Sequence, residues 1–345
     1  MIRAAFALCV LLIDAGVGCS VDRQLAFERS DARARAAPSG ELSATLLGGE
    51  RGLDHVGIAV RNLQDATHIY RDTLGFSRPI EGRLPNGIRN SNFYFSDATY
   101  VEILVFWDRE KAQWIADFTD SHSGALFAVL SVFSPEASTA FLADRGIHVS
   151  DPVSGSIQIE GGDDAPTERW KTLFLPRGLL PGDPLYLISY GRPAREEYLH
   201  ELDDPKARRA LHHRNSALGV RAVWLAVEDL LGASRAYASI GLPVGKSFDD
   251  PDLGAHGQVL RAGAGELWLV TPTSTGGKLS GFLRSRGGPG IAGITLLAGS
   301  VEVAALVIEQ GTGVRLSSYV GQAGISVRVP PELTEGVWLE FAQQP

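Results

Sequence analysis

Four times along the chain the period of the apolar and polar alternation changes in the same order: a strand-like run, an amphipathic helix, then three more strand-like runs. Each helix closes on a glycine, at Gly75, Gly146, Gly241 and Gly311, the residue favoured just past a helix C-terminus. Two short intervals between these glycines flank a long one, so the units come as two pairs. In the first unit residues 55–60 alternate as a strand, 63–74 have helical periodicity, and 76–80, 90–96 and 100–107 supply the remaining strands, with a loop at 84–89. The second unit repeats this at 125–132, 135–145, 147–153, 170–175 and 184–190. The third runs through 220–227, 230–240, 243–248, 258–261 and 266–272, and the fourth through 293–297, 300–310, 314–319, 325–329 and 336–342. A βαβββ unit of this size cannot cover both faces of its own sheet, whereas two together close a curved sheet around a cup. The expected fold class is α+β, with four βαβββ modules forming two paired curved-sheet domains.

Strand parity then separates the two faces of the first sheet. Val56, Ile58 and Val60 share an apolar face with Phe93, Phe95, Val101, Ile103 and Val105, and this face should pack on the helix. The opposite face carries His55, Asn90, Asn92, Tyr94, Tyr100 and Glu102, which should converge in the cup. A mostly apolar concavity with a few polar groups aimed inward is how small-molecule sites are built.

Composition narrows the partners. With 32 Lys+Arg against 40 Asp+Glu, the net charge of -8 argues against nucleic acid. The two cysteines, Cys9 and Cys19, both lie at the N-terminus, so any metal in the folded body must be bound by His, Asp or Glu. Residues 1–19 hold one basic residue, Arg3, an apolar run at 4–13 and small residues before Cys19, the layout of a signal peptide. That run is well short of the roughly twenty residues of a permanent span. Its end resembles a bacterial lipobox, with Cys19 as the lipidation site. The expectation is an exported lipoprotein of the periplasm or cell envelope, touching membrane only through an N-terminal lipid anchor. Residues 20–50 read as a flexible linker, 51–190 as the first domain, 191–217 as a charged connector with His212 and His213 facing solvent, and 218–345 as the second domain. No P-loop, dinucleotide glycine fingerprint, nucleophile elbow or HExxH occurs.

The run Leu53-Asp54-His55-Val56-Gly57-Ile58-Ala59-Val60, then Leu63, Tyr70-Arg71-Asp72-Thr73-Leu74-Gly75-Phe76 and Tyr100-Val101-Glu102, resembles the vicinal oxygen chelate superfamily and its glyoxalase-like domains. That superfamily contains metal-dependent lyases, isomerases and dioxygenases, and metal-free proteins that bind or sequester a small molecule. The resemblance places metal ligands at His55 and Glu102, for a divalent ion such as Fe, Mn, Ni, Co or Zn, with Glu102 also catalytic. The second module offers Leu126 or Phe127 opposite His55, and Ser189 on its last strand supplies a hydroxyl. Substrate contacts are expected from Arg89, suited to a carboxylate, and from Asn90, Asn92, Tyr94, Tyr100 and Ser189. Trp107 and Trp114 are candidates for the pocket mouth. In the second domain Ala222 and Trp268 stand where the first has His55 and Glu102, and Trp224 and Trp268 are expected to fill that cup, although Glu340 matches Glu102. Two functions stay open: an enzyme acting on a small oxygenated molecule in the first cup with a divalent metal, and a metal-free binding or sequestration lipoprotein.

Overall fold

A computed structural model describes residues 45–159, 169–190 and 211–343. The signal segment with Cys19, most of the linker and residues 191–210 of the connector lie outside the described residues. The first sheet is built from β1 (Gly52–Ala59), β2 (Ile80–Arg83), β3 (Ile88–Tyr94), β4 (Tyr100–Phe106), β5 (Gly124–Ser131), β6 (Val153–Gly155), β7 (Gln158–Ile159), β8 (Trp170–Phe174) and β9 (Leu185–Ser189). Its strand order is β6-β8-β9-β5-β1-β4-β3-β2-β7. The first strands of the two modules, β1 and β5, pair antiparallel at the centre, and each pairs parallel with the last strand of its own module. The second sheet repeats the plan with β10 (Ala217–Ala226), β11 (Val244–Asp250), β12 (Ala255–Ala262), β13 (Gly265–Pro272), β14 (Gly290–Ala298), β15 (Tyr319–Gly321), β16 (Gly324–Val329) and β17 (Trp338–Gln343), in the order β11-β12-β13-β10-β14-β17-β16-β15. The class is α+β, with two curved mixed sheets, each made of paired βαβββ modules.

Each module helix starts at a side chain that caps it. Asn62 caps α1 (Leu63–His68, continued by a π-helical turn at Ile69–Thr73) by accepting the Gln64 and Asp65 amides. Two further helices lie between modules: α2 (Gln113–Ser121) and, in the second half, α5 (Lys278–Arg286). Ser134, Asp229 and Ser300 cap α3 (Pro135–Ala143), α4 (Leu230–Ser239) and α6 (Val301–Thr312) in the same way. Accepting one of the orphan amides of a first turn is worth about 1 kcal/mol.

Three kinds of feature differ from the pattern. The second strand of the first, second and fourth modules begins later than its apolar run; Phe76 belongs to the core, packed on Tyr70 and Phe93, with its amide on the Tyr70 carbonyl. The joining helices α2 and α5 were not indicated by the fourfold pattern. Leu46, assigned to the linker, is buried in the core, and its carbonyl accepts the Ser138 hydroxyl.

The edges of the first sheet are joined by the chain itself. Strand β6 lies at one edge and β7 at the other, so residues 153–159 cross from edge to edge and close the cup. In the second sheet Arg328 on β16 reaches Asp250 on β11 at 2.5 Å and takes the place of such a strip.

The two sheets share one apolar core. Val56, Ile58 and Val101 from the first lie in the same buried cluster as Val223, Leu225 and Leu267 from the second. Gly52 and Gly263 form an antiparallel bridge between the sheets, both with positive φ, and a Cβ on either would overlap the backbone of the facing segment. A strap at residues 213–215 fastens the connector to the first domain. His213 Nδ1 accepts the Ser77 amide at 2.8 Å, its Nε2 lies 3.0 Å from the Tyr94 carbonyl, and Asn215 Nδ2 donates to the Leu74 carbonyl at 2.8 Å. His213 is 1% exposed, which overturns its assignment to solvent. Among the described residues no helix is long and apolar enough to cross a membrane.

Candidate functional site

The site begins with an irregularity in β1. Leu53 pairs with Leu130 and His55 with Val129, leaving Asp54 as the extra residue of a β-bulge. Strict alternation would turn Asp54 toward the helix; the bulge brings it beside His55. Asp54 Oδ1 lies 2.6 Å from His55 Nδ1 and also accepts the Tyr190 hydroxyl at 3.0 Å. A carboxylate only accepts, so this contact places a proton on His55 Nδ1 and leaves Nε2 as the ring nitrogen that faces the cavity. Tyr100 stacks on the imidazole at 4.2 Å between ring centroids, and its hydroxyl meets that of Tyr190 at 3.1 Å. Burial pushes both phenols well above their ordinary range, so both stay protonated.

His55 Nε2 faces Glu102 Oε2 at 3.8 Å, and Glu102 Oε1 accepts the Asn90 amide at 2.6 Å. Burial raises the Glu102 carboxyl above its usual value, opposed by His55 and by the Asn90 hydrogen bond. An imidazole nitrogen and a carboxyl group therefore sit side by side on one wall.

The cavity in front of them has a volume of about 250 Å³, with Trp114, Phe127, Trp170, Phe174 and Tyr186 among its walls and the 153–157 strip along its rim. His55, Asn90, Asn92, Tyr100 and Glu102 all line it. Tyr94 packs behind Tyr100 at 4.6 Å and stands outside the lining. Arg89 lies on the outer face of β3, 3.8 Å from Glu81, because alternation directs Ile88 and Asn90 inward. Ser189 also points away: its hydroxyl faces the Phe133 carbonyl at 3.4 Å, while Tyr186, Ile188 and Tyr190 face the cavity. Trp114 lines the cavity, whereas Trp107 is exposed outside it. Sequence reasoning missed Asp54, Tyr190, Trp170 and the 153–157 strip. For Asp54 a signal existed, since it is the one polar residue in the apolar series Val56, Ile58, Val60.

Whether these residues suit a metal ion can be decided on the donor set. The Val60 amide bonds to Leu104 and the Val132 amide to Ile188, which aligns the two modules and pairs His55 with Phe127 and Glu102 with Tyr186. Phe127 has no donor atom, and burial pushes the Tyr186 phenol up to about 12, out of reach of ionisation near neutral pH. Asp54 is committed to Nδ1. Two ligands of the His or carboxylate type remain, His55 and Glu102, one fewer than the three protein ligands usual in a catalytic centre. Among the described residues no group of three or more His, Cys, Asp or Glu side chains is placed to hold a metal. The residues present do not fit a catalytic metal centre.

In the second cup Trp224 and Trp268 stack at 6.0 Å yet leave a cavity of about 270 Å³, so the rings do not fill it as expected. Glu340 is buried beneath it, accepting from Thr295 at 3.0 Å, from Arg328 at 3.1 Å and from the Tyr319 hydroxyl. Asp252 joins the same guanidinium at 3.0 Å. These partners satisfy Glu340 as part of a structural network.

Comparison with known proteins places the fold. Residues 53–241 match the family described as glyoxalase-like domain. A mutant 4-hydroxymandelate synthase from Streptomyces coelicolor is similar in structure, with a TM-score of 0.59 and 13% identity over 86% of this chain and 93% of that one. A hypothetical protein from Staphylococcus aureus gives a TM-score of 0.57 and 12% identity over 84% of this chain and 98% of that one. No curated protein sequence matches this chain.

Proposed function

This chain belongs to the glyoxalase-like domain family, within the vicinal oxygen chelate superfamily, and from that premise we propose that its first cup binds a small oxygenated molecule and moves a proton on it without a metal. The observation that carries the reading is the Asp54–His55 pair at 2.6 Å, with Nε2 directed at Glu102 inside an apolar cavity; in this reading the resting ring is neutral, with its proton on Nδ1. Nε2 accepts a proton from the carbon beside a ligand carbonyl, and the electron pair moves onto the carbonyl oxygen. The Glu102 carboxyl, when protonated, gives its proton to that oxygen. Return of a proton to carbon and of the oxygen's proton to Glu102 completes an isomerisation. Tyr100 and Tyr190 hold the imidazole and its carboxylate in place, and the aromatic walls exclude water.

Asp54→Asn should lower the rate of solvent deuterium entering a bound carbonyl compound by about 10²- to 10⁴-fold, because an amide donating to Nδ1 puts the imidazole proton on Nε2. Elemental analysis of protein purified without chelator, alongside His55→Ala and Glu102→Ala, tests the metal-free part. One equivalent of metal that disappears in both variants would overturn it. Ligand-induced thermal stabilisation should survive EDTA.

A second reading, binding and sequestration without chemistry, is favoured by the wealth of aromatic rings in the walls. It predicts protection by ligand with no deuterium entry. For the N-terminus the proposal is export and acylation at Cys19. Mass spectrometry of the membrane-extracted protein should find an acylated Cys19 as first residue, and a soluble chain still beginning at Met1 would refute this.

A further inference from the structure

Two amide side chains in the first cup are incompletely used. Asn90 and Asn92 are 2% and 4% exposed, and the carbonyl oxygen of each has no hydrogen-bond partner. Asn90 spends its NH₂ group on Glu102, while the Asn92 side chain has no hydrogen-bonded partner among the described residues. Both line the cavity, and Asn92 stands opposite Glu102 in the β3–β4 register, so the three form one polar strip. A buried polar group left unpaired costs about 1–3 kcal/mol. The mechanism proposed above makes no use of Asn92.

Resting on the reading of this cup as a small-molecule site, we propose that its ligand is an uncharged, flat ring system carrying a lactam or primary carboxamide edge, which Asn92 reads. An amide side chain offers a donor and an acceptor side by side, and rotation about χ2 can present either first. Its full complement is a group with adjacent N–H and C=O, making two parallel hydrogen bonds. An ammonium would satisfy only the acceptor, and a carboxylate only the donor. Charge points the same way. Among the described residues no Lys or Arg lines the cavity, while Glu102 lies in its wall and Asp54 just behind. An anionic ligand would be desolvated beside carboxyl groups with no cation to compensate it. The cavity of about 250 Å³ between aromatic faces suits a single fused ring system. Asn90 adds a second acceptor for a further N–H or O–H on the ligand.

Calorimetry on the full-length protein with four probes of similar size tests this: 2-quinolone, its N-methyl derivative, quinoline-2-carboxylate and 2-naphthol. The lactam should bind about tenfold or more tightly than its N-methyl derivative, as expected when a site built for a hydrogen bond meets a ligand lacking it. It should exceed the carboxylate by at least as much. In Asn92→Leu the lactam and its N-methyl derivative should bind equally. Should that variant fail to fold, the wild-type series decides alone. Equal affinity of the first two probes for the wild type, or a preference for the carboxylate, overturns the amide inference, while binding of 2-naphthol in either case leaves the small-molecule reading standing. Failure of all four probes overturns both.

Discussion

Replacing Arg328 with alanine should lower the stability of the protein by about 3–5 kcal/mol at pH 7, the usual cost of removing one partner from a buried ion network. The side chain is 7% exposed and holds Asp250 at 2.5 Å, Asp252 at 3.0 Å and Glu340 at 3.1 Å. Without it, Glu340, itself 1% exposed, keeps only its hydroxyl donors. Burial already raises the Glu340 carboxyl, and Arg328 is the largest influence opposing that rise. The variant should therefore protonate Glu340 more readily, and its deficit should shrink as the pH falls from 7 to 5. Urea denaturation of wild type and variant at both pH values measures this. A deficit below about 1 kcal/mol at pH 7, the range of an exposed ion pair, would show that the clamp is screened by solvent and does not hold the sheet. The loss falls on the second cup because Arg328 supplies the link between β11 and β16 that the 153–159 strip supplies in the first.

Acid should destabilise the protein through His213 before most carboxylates respond. Burial lowers its pKa from the usual 6.5 to about 4, against a smaller opposing effect of its hydrogen bond to the Tyr94 carbonyl. The fold thus holds the neutral ring, whose Nδ1 must stay bare to accept the Ser77 amide. The unfolded chain binds the extra proton first. Stability from this residue is complete above pH 6.5, declines as the pH falls toward 4, and has been lost below that. The shift amounts to about 3 kcal/mol across the window. His213→Gln, which can accept from Ser77 without titrating, should show a shallower fall between pH 6.5 and 4.5 in urea titrations. An unchanged slope would mean that other groups govern acid unfolding.

Much of this molecule can be read from local pattern, because both strand parity and helix periodicity are local. The fourfold grammar, the glycine ends of the first three module helices at Gly75, Gly146 and Gly241, and the face carrying His55, Asn90, Asn92, Tyr100 and Glu102 all follow from neighbouring residues, whereas the fourth helix runs through Gly311 and is capped by Gly313. Arg89 and Ser189 suit a substrate by their chemistry but stand against the parity of their own strands, and both face away from the cavity. What escaped depends on distant pairing. The bulge at Asp54 shifts parity by one residue, and its position is set by the β5 partner. The strip that closes the first cup pairs with β2, more than seventy residues earlier in the chain. His213 sits in a charged segment, yet finds a pocket between Phe76 and Phe95.

The meeting of Gly52 and Gly263, backbone against backbone, bears on what a ligand does to the rest of the chain. Gly52 opens the strand that carries His55, and Gly263 lies in the turn between β12 and β13, so the site and the opposite half share a joint with no side chain to give way. With one apolar core behind that joint, the halves should lose order together. Binding in the proposed first-cup site should then slow amide exchange in strands that never touch the ligand, with the second sheet as ballast for the first.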